Sequence, residues 1–153
     1  MCVPNTCSLQ LNPSGSFYSL EAMAHPRCVG WGEIGLDYHY DNSPRNIQQH
    51  VFVRQLRHAV KLAKPLTIHT READEDTLRI LKEEVPKDHR VRHTLFFFPS
   101  PLINFVIIVV KIHVHCFSDT PEFGKQLLDH FPNLYIGVTG THSSLLYRFQ
   151  LLN

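Results

Sequence analysis

At 153 residues and 43% hydrophobic content, the chain can bury one ordinary core and has no room for two large domains. Its 15 Lys and Arg against 14 Asp and Glu leave a formal charge of +1, which excludes wholesale electrostatic wrapping of nucleic acid; a nucleic-acid partner has to be held locally. Cys2, Cys7, Cys28 and Cys116 form no Cys-x-x-Cys pair, so reduced thiols are expected. With no signal-peptide pattern and no membrane segment, the expectation is a protein of the cytoplasm or nucleus.

Residues 1–20 are rich in Ser, Pro and Asn without a sustained period, and read as an irregular N-terminal segment. Cys28 to Leu36 is an apolar run broken by Gly30, Gly32 and Gly35, the pattern of a strand buried on both faces whose glycines admit close neighbours. A helix follows, with Ser43 as N-cap and Pro44 at the first helical position. Its apolar stripe is Phe52, Leu56, Ala59, Val60 and Ala63, and it ends before Pro65. Leu66 to Thr70 is a short strand. The next helix runs from about Ala73 to Glu84, with Asp74, Glu75 and Asp76 complementing the dipole of its first turn, a structural role.

Thr94 to Val110 breaks the rhythm. It includes Phe96-Phe97-Phe98 and Val106 to Val110, is nearly uncharged, and far exceeds the roughly 2 to 6 residues of an ordinary helix-to-strand connection. Its prolines and its length, short of the roughly 20 residues of a membrane span, argue against a bilayer segment. It reads as an insertion, foreign to the fold and aggregation-prone, whose β-branched second half can also extend the strand that follows. The pattern resumes with a strand from His113 or Val114 to Phe117, Thr120 as a cap, Pro121 as the first helical residue, and Phe123, Leu127, Leu128 and Phe131 as the buried stripe. Pro132-Asn133 stops this helix, and Leu134 to Thr139 forms another strand before Gly140. Strands alternating with single helices imply parallel pairing, hence an α/β fold of about four β-α steps.

Three strands end in metal-ligating types: Glu33 in Gly32-Glu33-Ile34-Gly35-Leu36-Asp37-Tyr38, His69 in Ile68-His69-Thr70-Arg71-Glu72, and His113 and His115 before Cys116-Phe117-Ser118. Carboxylate and imidazole projecting from parallel strands into one mouth suit a divalent cation. An unpaired carboxylate at Glu33 in a central strand is costly, which favours metal binding there. His69 can ligate or donate to a backbone carbonyl. Arg71 either clamps a phosphate bidentately or pairs with Glu72 at the surface. Asp37 either contacts substrate or caps the next turn. His25, His39, His50, His58, His89, His93, His130 and His142 show no partner pattern.

The ordered segments Gly32 to Asp37, Ile68 to Ala73, His115 to Ser118 and Ile136 to Gly140 resemble consecutive motifs of the TatD-related deoxyribonucleases. The resemblance covers about residues 20–93 and 111–140, so residues 21–153 read as a partial domain of this kind, interrupted at about 94–110. It implies a TIM-like (β/α) barrel related to the amidohydrolases, present here as about four of eight β-α units. It further implies two divalent cations (Mg, Mn or Zn), with Glu33 bridging them and His69 and His115 as ligands; the resemblance selects His115 over His113. DNA is the implied substrate, its phosphodiester hydrolysed by a two-metal mechanism in which Glu33 and Arg71 take part and Arg71 and Asp37 contact substrate. The family's opening His-x-His strand and its later metal-ligating Asp have no counterpart here, so the chain is expected to be a truncated or mis-assembled product. Two other functions stay open: a catalytically inactive module that binds or self-associates through open barrel edges, and metal-dependent hydrolysis of an ester on aminoacyl-tRNA.

Overall fold

The computed structural model describes residues 25, 27–28, 30–40, 42–88, 92–94, 106–108 and 112–138. The N-terminal segment, Cys2, Cys7, His89, His142, Thr139 and Gly140, and most of 94–110 lie outside the described residues. The elements are β1 (Trp31–Asp37), α1 (Arg45–Lys61), β2 (Leu66–Arg71), α2 (Asp74–Glu84), β3 (Arg92–Thr94), β4 (Val106–Ile108), β5 (Ile112–Val114), α3 (Pro121–His130) and β6 (Leu134–Ile136).

Four strands form one parallel sheet in the order β1-β2-β5-β6. Neighbours in space are thus neighbours in sequence once β3 and β4 are set aside, the arrangement of an arc of an α/β barrel. Parallel pairing requires a crossover between strands, and helices α1 and α3 supply it for β1-β2 and β5-β6. Along β2 the alternation is plain: Leu66, Ile68 and Thr70 are buried beneath the helices, while Thr67, His69 and Arg71 are half-buried on the opposite face. The core joins Ile34 and Leu36, Leu66 and Ile68, and Ile112 and Val114 to Phe52, Leu56 and Ala59 of α1, Ile80 and Leu81 of α2, and Phe123 and Leu127 of α3. Each of these side chains larger than alanine, when fully buried, contributes about 1.5–3 kcal/mol of transfer free energy.

Several boundaries differ from those the sequence suggests. Strand β1 begins at Trp31, and it is not buried on both faces: Gly32 is exposed and Glu33 half-buried, because that face opens toward the polar mouth of the sheet. Pro44, not Ser43, is the N-cap of α1. Its carbonyl accepts from both Ile47 and Gln48 N–H, so the helix starts one residue later, and the buried Ser43 instead offers its carbonyl to Gln48 Nε2. Thr120 does cap α3, its side chain accepting from Phe123 N–H, with Pro121 first in the helix. Leu128, assigned to the buried stripe, is exposed, since the core face of α3 is completed by Gly124 and Leu127. Strand β5 stops at Val114, before His115. The segment Val106–Ile108 pairs antiparallel with Arg92–Thr94 in a separate two-stranded sheet rather than extending β5. Among the described residues, no helix is long and apolar enough to cross a membrane.

Candidate metal centre

Local backbone geometry sets the first candidate ligand. Trp31 pairs with Leu66 and Ile34 with Ile68, so Gly32 and Glu33 together face the single residue Thr67. This is a β-bulge, which re-aims a side chain at the end of a sheet. Gly32 is required: a Cβ there would lie 2.6 Å from Thr67 Cβ. Past the bulge Gly35 sits opposite His69 with φ of 150°, and a Cβ would lie 1.8 Å from the His69 carbonyl oxygen. Only glycine allows β1 and β2 to approach this closely beside the site. Gly30, by contrast, has nothing nearer than 3.7 Å to an added Cβ, so its expected role in close approach is not borne out.

His115 reaches the same point from β5. Its N–H donates to the Ile68 carbonyl at 3.0 Å, continuing the β2–β5 ladder one residue beyond the strand and setting His115 beside His69. The chain then turns at Cys116, whose φ is 50°. Glu72, which follows Arg71 at the end of β2, has φ of 54°. Non-glycine residues at positive φ are uncommon and gather at functional loops. His113 does not share a strand face with His115, because β5 ends between them; its Nε2 packs over Gly137, 2.6 Å from where a Cβ would stand.

Glu33, His69 and His115 converge, each offering one ligand atom, with these atoms within 4.8 Å of one another. Glu33 Oε1 lies 2.6 Å from His115 Nε2 and 3.2 Å from His69 Nδ1, and the two ring nitrogens are 3.4 Å apart. Ligands about 2.0–2.1 Å from a tetrahedral zinc are separated from one another by about 3.3 Å. Two edges of the triangle match that spacing; the third is shorter because Glu33 and His115 contact each other directly. Carboxylate plus two imidazoles is a donor set that fits a divalent transition metal or zinc. The three side chains are 22–35% exposed, so solvent reaches the centre.

Each imidazole also has a partner behind it. His69 Nε2 is 3.3 Å from Asp37 Oδ2, and His115 Nδ1 is 3.1 Å from Cys116 Sγ. Such contacts to the non-ligating nitrogen fix ring orientation. Asp37 also caps the turn after β1, its Oδ1 accepting from His39 and Tyr40 N–H at 3.0 and 3.3 Å. Arg71 does not pair with Glu72, which instead meets His39 Nδ1 at 2.7 Å. The Arg71 guanidinium lies 5.1 Å over the Tyr40 ring, and Tyr40 is 50% exposed.

Around this centre, polar contacts tie β1 to the helices. The Tyr38 hydroxyl donates to Asp76 Oδ2 at 2.8 Å and accepts from Gln49 Nε2 at 2.7 Å, and Arg45 covers its ring at 4.4 Å. Burial pushes the Tyr38 hydroxyl up, while Arg79, 2.7 Å from Asp76 Oδ1, holds that carboxyl below its usual range. Asp76 is thus structural, as the sequence implies. Asp74 differs: burial raises it, and it faces Asp119 from the loop after β5, whose carboxyl is raised to about 7, by burial first and then by the charge of Asp74. The sequence gives no signal for this acid pair, nor for the backing contacts at His69 and His115 beyond the adjacency of His115 and Cys116 in the chain.

Comparison with known proteins agrees with the geometry. The TatD related DNase family matches residues 15–145. The human 3'-5' RNA nuclease TATDN2 is 43% identical over 128 residues, 82% of this chain and 14% of that protein. The uncharacterized metal-dependent hydrolase YabD of Bacillus subtilis is 50% identical over 64 residues, 42% of this chain and 25% of the relative. The crystal structure of an uncharacterized amidohydrolase from Saccharomyces cerevisiae superposes with a TM-score of 0.51 at 30% identity, covering 70% of this chain and 32% of that one. The chain therefore spans a third or less of each of these relatives. With residues 15–145 matched and a parallel α/β sheet that gathers Glu33, His69 and His115, the chain belongs to the TatD-related DNase family of metal-dependent hydrolases.

Proposed function

We propose that this chain takes part in hydrolysis of phosphodiester bonds in DNA, using divalent cations held by Glu33, His69 and His115, with two cations bridged by Glu33 in the working form. The observation that carries the proposal is the single oxygen Glu33 Oε1 placed against both imidazoles, at 2.6 and 3.2 Å. A carboxylate in that position can be shared, leaving its second oxygen for another ion. When bound, such cations supply Lewis acidity toward a phosphoryl oxygen and an activated water.

The chain's own residues do the rest. Glu33 supplies the negative charge that two neutral imidazoles lack. Arg71 follows His69 by two positions and so shares its face of β2; among the described residues it has no carboxylate partner and meets only Tyr40, whose hydroxyl accepts from Nη1 at 3.5 Å, a contact that a phosphate can replace. Tyr40, exposed beside it, offers a ring on which a base can stack. Two imidazoles with one carboxylate favour zinc over magnesium, which prefers oxygen ligands. RNA is a second reading, favoured by the name of the human relative, a 3'-5' RNA nuclease.

The test is cleavage of end-labelled single-stranded DNA, duplex DNA and single-stranded RNA, with an aminoacylated tRNA alongside, in the presence of Zn, Mn or Mg. Metal-dependent cleavage of DNA that disappears with chelator and in Glu33→Gln is expected. Cleavage of RNA alone would shift the reading to the second substrate, and cleavage indifferent to chelator would overturn it.

A further inference from the structure

We propose that Asp37 is a positioning residue for this metal centre: it holds the His69 ring with its proton on Nε2, so that Nδ1 is presented bare toward Glu33, and Gln48 holds Asp37. The inference rests on the reading of Glu33, His69 and His115 as metal ligands, and it replaces the substrate-contact role that the sequence suggests for Asp37.

The geometry around His69 is directional. Its Nδ1 faces Glu33 Oε1 at 3.2 Å and its Nε2 faces Asp37 Oδ2 at 3.3 Å. The two nitrogens flank Cε1 and point away from one another, so Asp37 meets the side of the imidazole turned away from Glu33 and is not among the atoms that converge on the centre. A neutral imidazole carries one N–H, and the carboxylate is an acceptor only. Glu33 is an acceptor as well, 3.2 Å from Nδ1, but its Oε1 is engaged more closely by His115 Nε2, at 2.6 Å, so the proton is assigned to the nitrogen facing Asp37, which makes Nδ1 a lone-pair donor. An imidazole with no such partner divides between two tautomers, one of which cannot ligate through Nδ1.

Asp37 is itself immobilised from three directions. Its Oδ1 accepts from His39 and Tyr40 N–H, which spends that oxygen on the turn and leaves Oδ2 for His69. Its backbone is clasped by one side chain of α1: Asp37 N–H donates to Gln48 Oε1 and Asp37 C=O accepts from Gln48 Nε2, both at 3.0 Å. The same Nε2 reaches the Ser43 carbonyl at 3.0 Å. A side-chain amide thereby supplies to the end of β1 the pair of hydrogen bonds that a neighbouring strand would supply. Gln48 thus ties the first turn of α1 to the residue that aims His69.

The test uses the whole chain, 15N-labelled and metal-free, at about pH 8, where an ordinary imidazole is neutral. Two-bond 1H–15N correlations report the His69 tautomer directly. The expected result is a proton on Nε2 in the wild type and a mixture in Asp37→Ala. Asp37→Asn, which keeps an acceptor oxygen, retains most of the Nε2–H form. Cobalt(II) binding, followed by its visible absorption, should weaken by about 10- to 100-fold in Asp37→Ala, less in Asp37→Asn, and measurably in Gln48→Ala. A wild-type proton on Nδ1, or a tautomer and a cobalt affinity both unchanged in Asp37→Ala, overturns the proposal. Should Asp37→Ala fail to fold, the His69 tautomer in Gln48→Ala and Asp37→Asn decides the same question. Absence of cobalt binding in the wild type would reject the metal reading itself, while the metal-free tautomer still decides what Asp37 does.

Discussion

Asp119 and Asp74 set their carboxyls against one another between the loop after β5 and the first turn of α2, and each has a buried oxygen, Asp119 Oδ2 and Asp74 Oδ1, that meets no donor from another described residue. A shared proton satisfies both. The backbone and the carboxylate of Glu72 also act on Asp119, so the pair lies where the loop that leaves His115 meets the loop that leaves His69.

This pair gives stability a definite pH dependence. Asp119 titrates at about 7 in the folded chain against 3.8 when unperturbed, so between these values the native state holds a proton that the unfolded chain releases. Stability from this source is present below about pH 4 and falls as pH rises toward 7. Asp119→Asn, which donates permanently to Asp74, should leave the melting temperature unchanged near pH 4 and raise it by a few degrees at pH 8, equivalent to about 1 kcal/mol. Thermal melts of both proteins across that range check this.

Zinc should stabilise the wild type. A ligand that binds only the native state at a hundredfold excess over its Kd adds about 2.7 kcal/mol. Glu33→Gln, His69→Ala and His115→Ala should each lose most of that gain, because each removes one corner of the triangle. Calorimetric melts with and without zinc measure it; equal gains in all four proteins would place the metal elsewhere.

Gly35→Ala should cost on the order of 3 kcal/mol, the sum of backbone strain at positive φ and a clash with the His69 carbonyl that neither strand can relieve. Gly30→Ala should cost less than about 1 kcal/mol, since an added methyl meets only ordinary contacts there. Urea denaturation of the two variants separates them.

Tyr40→Ala should weaken binding of a single-stranded oligonucleotide by about 1–3 kcal/mol if the ring carries a base, whereas Tyr40→Phe should change it little. Arg71→Lys should fall between wild type and Arg71→Ala, since lysine keeps the charge and loses the planar fork. Fluorescence anisotropy gives both, and an abasic oligonucleotide should erase the Tyr40 effect while leaving that of Arg71.

Much of this was legible in the residue order. The period of Phe52, Leu56 and Ala59 and the Thr120-Pro121 start of α3 are local signals, and both elements form where those signals stand. Ser43 misled because a proline after a serine fits two frames, and only the backbone angles at Pro44 decide which residue caps. Leu128 misled because α3 is buried along a narrow stripe that Gly124 completes, which lets the strands approach without a larger side chain. The trio Glu33, His69 and His115 was nameable from motif order, whereas its arrangement was not. Glu33 points at the two rings because of one extra residue in β1, and a bulge leaves no periodic trace in sequence.

By itself the sequence determined an α/β chain of parallel strands, its family, and three residues of the right chemical types at strand ends, because period, caps and motif spacing are properties of short stretches. Tertiary structure decided what those residues meet. Asp37 serves His69 across 32 positions, Gln48 clasps Asp37 across 11, and Asp119 finds Asp74 from another loop. Contacts of this kind depend on which strand ends the sheet places side by side, and that is fixed only when the apolar faces of three helices close over the sheet.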